Sequence, residues 1–428
     1  MSDVIATNQT ILVVGGGISG MTAALEAAEC GKQVILVEKT PSLGGRVSQL
    51  YKYFPKLCFP TCGIEINLRR IKANRNLRVL TMSEVVSITG QPGDYTATVK
   101  TSPRYVNENC TGCGECGKAV EAEFADEYNY GLGKRKGAYL PFAMAYPQRY
   151  VIDPRILGTP DADKAKAACK YGAVDLDMQE QTTELKVGAV VWATGWKPYD
   201  AAKIQPYGYD RFPNVITSVE FERLADPHGP TGGKILRPSD GKEATNIAFI
   251  QCAGSRDRNH LKHCSRICCM ATLKQTTYVS EKYGDGAKST VYYIDIRAID
   301  RIDDFHRKVK ADPNVTFVKS KVANIVQDKA TGDLILNGVN TEGYHRYANR
   351  HDLVVLAIGM EPSVPKSEFP AEVVMNENGF IELDPANGAI FGAGCSSDAL
   401  DVNRAVQNAT AGALRAIQVV NRVARTEG

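Results

Sequence analysis

Apolar residues fall along the chain in short β-branched runs separated by longer mixed stretches. "ILVV" at Ile11–Val14 and "QVILVE" ending at Glu38 read as parallel strands buried on both faces, with an alanine-rich helix over Ile18–Glu29 between them. "NIAFIQ" at residues 246–251, "VVWATG" at 190–195 and "VVLAIG" at 354–359 repeat the apolar run. Strands alternating with helical stretches predict an α/β fold built on parallel sheets. Residues 201–243, with "ADPHGPTGGK" and "RPSDGK", are turn-rich and read as a linker.

A chain of 428 residues exceeds one compact core, so two or three domains are expected. With 51 basic and 48 acidic residues the net charge is only +3, too small and too evenly spread to imply a nucleic-acid surface, and the knot Lys134, Arg135, Lys136 reads as a solvated loop. No apolar stretch nears the roughly 18 residues of a membrane span, and "MSDVIATNQT" lacks the charged and apolar regions of a secretory leader. A cytoplasmic location is therefore expected. There, twelve cysteines are poor candidates for a disulfide framework and better ones for metal or redox chemistry.

At the end of the first strand, Gly15, Gly17 and Gly20 form G-x-G-x-x-G, with Ile18 and Ser19 opening the helix and Glu38, then Lys39, closing the second strand. The first glycine permits a tight turn, the second lets backbone amides approach a pyrophosphate, and the third lets helix and strand pack closely; Glu38 would accept ribose hydroxyls. "PSLGGR", carrying Gly44, Gly45 and Arg46, resembles the second glycine motif of two-dinucleotide flavoproteins, which lies beside the FAD phosphates. The strands ending at Ala193, Thr194, Gly195 and at Gly359 resemble those that bracket the second domain of such proteins. "GAIFGAGCSSDALDVNRAVQNATAGALRAI" resembles the closing FAD segment of the thioredoxin reductase type, implying cofactor contacts at Gly394, Cys395, Asn403 and Ala405. Cys395 stands where that type has an acid, with Asp398 and Asp401 as nearby substitutes.

A second glycine loop, for a nicotinamide, is expected after residues 246–251, but "CAGSRD" offers Gly254 alone. Instead Cys252, Cys264, Cys268 and Cys269 gather within eighteen residues, the last three in a stretch that reads as helical, so that Cys264 and Cys268 share a face. Four thiolates suit a [4Fe-4S] cluster or a structural zinc, and the spacing leaves both open; an FAD domain in the same chain favours the cluster. His260 and His263 read as solvated.

From "ILVVGGGISG" through "QCAGSRD", "CSRICC" and "AGC" to the last helix, the chain resembles the A-type subunits of heterodisulfide reductases. The resemblance implies an FAD carrier in a multi-subunit electron-transfer complex, with these cysteines holding an iron–sulfur cluster near the flavin. It also implies B- and C-like partner subunits and a homodimer, with no nucleic acid or membrane. Lacking the extra iron–sulfur domains of the larger versions, the chain is most similar to the short A-like subunits of sulfur oxidisers, in which the sulfur substrate would react on a partner.

Cys110, Cys113 and Cys116 have the C-x2-C-x2-C spacing that opens a bacterial ferredoxin motif; Val120 replaces the fourth cysteine, and Cys169 could complete the set. A second [4Fe-4S] cluster and an iron-free remnant both remain open here. Cys58 and Cys62 read as structural, the alternative being a redox pair that serves a self-contained FAD disulfide or NAD(P)H oxidoreductase. Cys30 reads as inert core, and Lys274 and Arg256 as candidates for tuning a redox potential.

The fold expected is thus α/β, a two-dinucleotide-binding, thioredoxin reductase-like flavoprotein core with a small inserted ferredoxin-like segment. Residues 1–105, 181–200 and 351–428 would build the FAD domain, 106–180 the insert, 201–245 the linker, and 246–350 a second Rossmann-like domain carrying the cysteine cluster.

Overall fold

The computed structural model describes residues 7–298 and 302–422; the first six residues of the "MSDVIATNQT" stretch lie outside them. Two five-stranded parallel sheets organise the chain, and each is accompanied by a three-stranded antiparallel sheet. The first has the order Ile390–Gly392, Ala189–Trp192, Ile11–Val14, Val34–Glu38, Leu77–Thr81, its strands drawn from widely separated parts of the chain. The helix Ile18–Glu29 and the last helix, Val402–Val420, pack side by side, and both touch this sheet. Small residues make that contact close: Ala23, Ala24 and Ala27 on one helix and Ala409, Ala413 and Ala416 on the other are all buried.

The second sheet has the order Val215–Thr217, Leu353–Ile358, Asn246–Ala253, Lys288–Tyr293, Val315–Lys319. Two expectations are corrected here. The strand Leu353–Ile358 belongs to this sheet, and not to the FAD domain that was expected to resume at residue 351. The stretch 201–245 is also more than a linker: its Val215–Thr217 is an edge strand, and the helix Ser218–Ala225 that follows is buried along nearly its whole length. A capping box, with Thr217 and Glu220 exchanging hydrogen bonds, starts that helix. Composition announces the turns and hides the three-residue strand among them.

Residues 106–180 form a small unit with the helices Glu115–Ala119 and Pro160–Ala168, two short hairpins and an apolar cluster that includes Val106, Val120, Ile152 and Ala165. Among the described residues no helix is long and apolar enough to cross a membrane.

His351, 4% exposed in the second unit, is held between the Tyr292 hydroxyl (2.9 Å) and Asn246 Oδ1 (2.9 Å). Burial pushes its pKa from 6.5 down to about 4. The unfolded chain therefore takes up a proton below pH 6.5 that the folded chain refuses until about pH 4. Stability present above pH 6.5 should fall by about 3 kcal/mol as the pH drops through this window. Urea unfolding at pH 7 and pH 4.5 should show a smaller loss in His351→Gln than in the natural protein; equal losses would remove His351 as the cause.

Candidate flavin site and cysteine centres

The turn after Ile11–Val14 meets each demand of the glycine motif. Gly15 has φ +105, and a Cβ there would run into the Ala193 carbonyl. A Cβ on Gly20 would fall on the Gly15 carbonyl, so this glycine sets how closely helix and strand approach. Gly17 is the N-cap of Ile18–Glu29 and makes no side-chain cap, leaving the first-turn N–H groups for an anion. A Cβ on Gly17 would meet only the Gly45 Cα, at 3.8 Å, so the space above it is open.

The two glycine motifs join: Gly44 N donates to Gly16 O (2.9 Å), and Gly17 and Gly44 form a parallel bridge. Glu38, 8% exposed, accepts N–H bonds from Gly16 (2.5 Å) and Thr40 (2.7 Å), which fixes its carboxylate at the cavity edge.

A cavity of about 550 Å³ runs from Glu38 to the start of the last helix, within the size range of small-molecule and cofactor sites. Of the residues expected to touch cofactor, Gly15, Gly17, Ile18, Ser19 and Glu38 line it. So do Gly45 and Arg46 from the second motif, Ala193, Thr194 and Gly195, and Cys395 and Ala405. Gly20 and Gly44 act one layer back, through packing and the bridge.

The remainder lie elsewhere. Lys39 is paired with Glu84 on the surface (2.8 Å), Asn403 is exposed, and Gly394 donates its N–H to Asn408 Oδ1 (2.8 Å) without reaching the wall. Gly359 belongs to the second sheet, where its N–H bonds Ala253 O (3.1 Å). Cys395 donates its thiol to Leu400 O (3.4 Å), and burial raises its pKa to about 11, so at neutral pH it offers a polar wall without charge.

One wall has no counterpart among the motif residues. Tyr128, Tyr130, Tyr139 and Phe142, all from the insert, line the same cavity. Tyr128 stacks on Phe142 (centroids 5.1 Å apart, 12° between planes), its hydroxyl donating to Ser48 O (2.5 Å). Arg46 donates to Trp196 O (2.6 Å) and to the Tyr130 hydroxyl (3.1 Å), spanning the cavity between core and insert. The one sequence signal for this wall is the interleaving of aromatics in "EYNYGLGKRKGAYLPF".

The strand Asn246–Ala253 is irregular near its end, and Cys252 there adopts φ +57. The loop after it returns through Cys264 to a helix that begins only at Cys268. The helical face expected for Cys264 and Cys268 is thus corrected: Cys264 is in the loop. Burial raises the pKa of Cys252, of Cys268 and, to about 11, of Cys269, and neighbouring thiols of the set add to each shift.

Among the described residues no three His, Cys, Asp or Glu side chains converge tightly enough to grip a metal. The thiols are turned to other partners, Cys268 to Ile358 O (3.5 Å) and Cys269 to Asp295 O (3.8 Å). Deprotonation would remove these donor bonds and free the sulfurs. As a donor set, four soft sulfurs within one another's electrostatic reach fit iron–sulfur or zinc. His263 is not solvated as expected: it bonds Met360 O (2.8 Å). His260 bonds the Tyr199 hydroxyl (2.8 Å).

The loop is tied to the edge of the cavity by an ion pair. Arg266, two residues past Cys264, pairs with Asp398 (3.1 Å), which lies between cavity-lining Cys395 and Leu400. Arg256 pairs with Asp295 and lies 3.9 Å from Cys252 Sγ, beside the cysteines. Lys274 instead forms a buried pair with Glu222 (2.8 Å) and donates to Lys52 O; neither Arg256 nor Lys274 lines the cavity.

In the insert, Cys110, Cys113, Cys116 and Cys169 surround a single small void of about 10 Å³. Burial and the three other thiols raise Cys116 to about 11. Burial would also raise Cys169, but N–H groups of Ala173, Val174, Tyr171 and Gly172 outweigh it and lower its pKa.

The fold is that of the two-dinucleotide-binding class. A family profile described as "FAD dependent oxidoreductase" matches residues 10–57. Thioredoxin reductases of T. acidophilum and Lactococcus lactis share the fold, each with TM-score 0.52, at 13% and 11% identity; the matches cover 96% and 97% of this chain and 98% and 100% of theirs.

By sequence the chain is similar to A-type heterodisulfide reductase subunits. It is 37% identical over 425 residues to the second A-type iron–sulfur subunit of the CoB–CoM heterodisulfide reductase of Methanopyrus kandleri, covering 95% of this chain and 63% of that protein. It is 35% identical over 432 residues to the corresponding A-type iron–sulfur subunit of Methanocaldococcus jannaschii, covering 97% and 65%. The chain thus spans a little under two thirds of these relatives' length.

Proposed function

We propose that the chain is an electron-transfer subunit of a heterodisulfide reductase-like complex in sulfur or disulfide metabolism. It would pass electrons between FAD and thiolate-held [4Fe-4S] clusters. The observation that carries this reading is the Arg266–Asp398 link, which ties the Cys252–Cys269 loop to the wall of the flavin cavity. The relatives are named as iron–sulfur subunits, which supports the same chemistry.

Cys252, Cys264, Cys268 and Cys269 would hold the cluster nearer the flavin; Cys110, Cys113, Cys116 and Cys169 would hold a second in the insert. FAD supplies two-electron chemistry and iron–sulfur clusters one-electron chemistry. The chain's own residues orient and insulate: Glu38 and the glycine loops bind the dinucleotide, the aromatic wall limits water, and Arg256 places a fixed positive charge beside Cys252. B- and C-like subunits as partners, a homodimer and a cytosolic location complete the proposal.

Iron, acid-labile sulfide and flavin measured on one anaerobically purified sample test it. About four irons per FAD indicate one site and about eight indicate both. Cys268→Ser should remove about four irons while flavin stays bound, and Cys113→Ser should remove the other four if both sites are filled. Stoichiometric zinc, or no metal, with bound flavin would overturn the electron-transfer reading.

A further inference from the structure

Arg104 is 6% exposed and joins the core to the insert. On the core side its Nη2 donates to Pro41 O (2.5 Å) and Thr81 Oγ1 (2.9 Å). On the insert side its Nη1 donates to Arg149 O (3.1 Å), and its own carbonyl accepts from Ile152 N (3.2 Å). Pro41 lines the flavin cavity. Tyr150, the residue after Arg149, lines the void among Cys110, Cys113, Cys116 and Cys169, as does Val106, two residues past Arg104. One guanidinium therefore binds the wall of one site and the backbone beside the wall of the other.

Its charge has no carboxylate partner. Among the described residues the other buried cations are both paired, Arg223 with Asp226 (2.7 Å) and Lys274 with Glu222 (2.8 Å). Arg104 bonds only neutral acceptors, and no carboxylate among the described residues lies within ion-pair distance of it. Burial, and then the Arg149 charge, bring its pKa from 12.5 down to about 10, while Tyr139 and Cys110 pull the other way. At neutral pH it stays charged. A buried cation without a counter-ion is costly, and a neutral donor could fill the same carbonyls at less cost. Something other than these bonds gives the positive charge its use.

We propose that Arg104 is a counter-charge shared by the flavin and by a thiolate-held centre in the insert, raising the reduction potential of both. This rests on the reading that the insert cysteines hold an iron–sulfur cluster. Tyr139 of the flavin cavity and Cys110 of the insert void are both within electrostatic reach of the guanidinium, so its field extends to the two sites together. Each electron added to a four-thiolate cluster adds one negative charge, which a nearby cation stabilises. A unit charge within about 10 Å of a partly buried group changes an equilibrium constant by roughly tenfold. Arginine keeps its proton throughout, so this compensation is fixed.

The test is a mediated dithionite titration of the anaerobically purified full chain with its cofactors, carrying Cys268→Ser so that the remaining iron is that of the insert. EPR reads the cluster and visible absorbance reads the flavin. Arg104→Gln keeps an amide donor and removes the charge. Thr81→Asp keeps Arg104 in place and cancels its charge, so it gives the same reading should Arg104→Gln fail to fold. Each should make reduction roughly tenfold less favourable at both sites, a fall of about 59 mV for the one-electron cluster and about 30 mV for the two-electron flavin. Arg104→Lys should hold both potentials near their natural values.

A purely structural bracket would alter iron or flavin occupancy and leave the potentials of filled sites where they were. Iron present with both potentials unmoved, or with only one of them moved, would overturn the shared role of Arg104 while leaving the cluster assignment intact. A Cys268→Ser chain that retains flavin but no iron would overturn both.

Discussion

Replacing Gly20 by alanine should yield a protein that purifies largely without flavin. The added methyl falls on the Gly15 carbonyl, and Gly15 cannot retreat: its N–H is bound to Val37 O (2.7 Å) and its open side faces Ala193 O. The helix must back away from the strand, which moves its first-turn N–H groups off the phosphate position. Overpacking of this kind costs roughly 1–3 kcal/mol, and if it falls on the bound state FAD affinity drops about 10–100-fold.

Gly17→Ala separates binding from folding. Its methyl enters open space, so the melting temperature of the flavin-free protein should not change, whereas FAD affinity should fall as in Gly20→Ala. Flavin-to-protein absorbance ratios, FAD titration and thermal melts of the stripped proteins would check both. Full flavin occupancy in Gly20→Ala would show that the cofactor does not sit on this turn.

The second large effect concerns Glu222 and Lys274, whose side chains are each only 3% exposed and 2.8 Å apart. Burial drives the Lys274 pKa below its usual value, and the Glu222 charge opposes that shift. Glu222 also accepts from Tyr51 N (3.1 Å) and the Tyr278 hydroxyl (3.1 Å). Replacing Glu222 by leucine strands a buried ammonium ion and should cost about 3–5 kcal/mol.

Adding Lys274→Met should recover most of that loss, because two apolar groups of similar volume then replace the pair. Chemical denaturation of both single variants and the double variant closes the cycle. A double variant no more stable than Glu222→Leu would mean that the hydrogen bonds to the 51–52 backbone, and not the ion pair, hold this region together.

The first strand, first helix and second strand are legible in the sequence because each signal reinforces the next: a β-branched run, three glycines at fixed spacing, an alanine-rich stretch and a terminal acid. The class of fold follows. Assignment of Leu353–Ile358 to the FAD unit fails because an apolar strand carries no mark of the sheet it joins; a buried parallel strand looks alike in either. The helix expected to include Cys264 begins only at Cys268 because the loop before it is held by tertiary bonds, such as Met360 N to Ser265 Oγ (2.8 Å), which no local pattern reveals.

Site residues show the same division. Gly15, Glu38 and Arg46 belong to motifs whose chemistry fixes their place, and they line the cavity. Tyr128 and Phe142 reach it only because the insert folds back over the core, a long-range event with no periodicity of its own. Lys39 and Asn403 stand next to motif residues in sequence, but a neighbour on a strand or helix points elsewhere.

The cavity takes its walls from residues near 15–49, 126–142, 193–196 and 395–405. During synthesis on the ribosome the dinucleotide turn emerges early, yet the pocket lacks a wall until almost the whole chain has been made. Cofactor loading would then be a late event in biogenesis, and nascent chains halted before the final helix should emerge colourless.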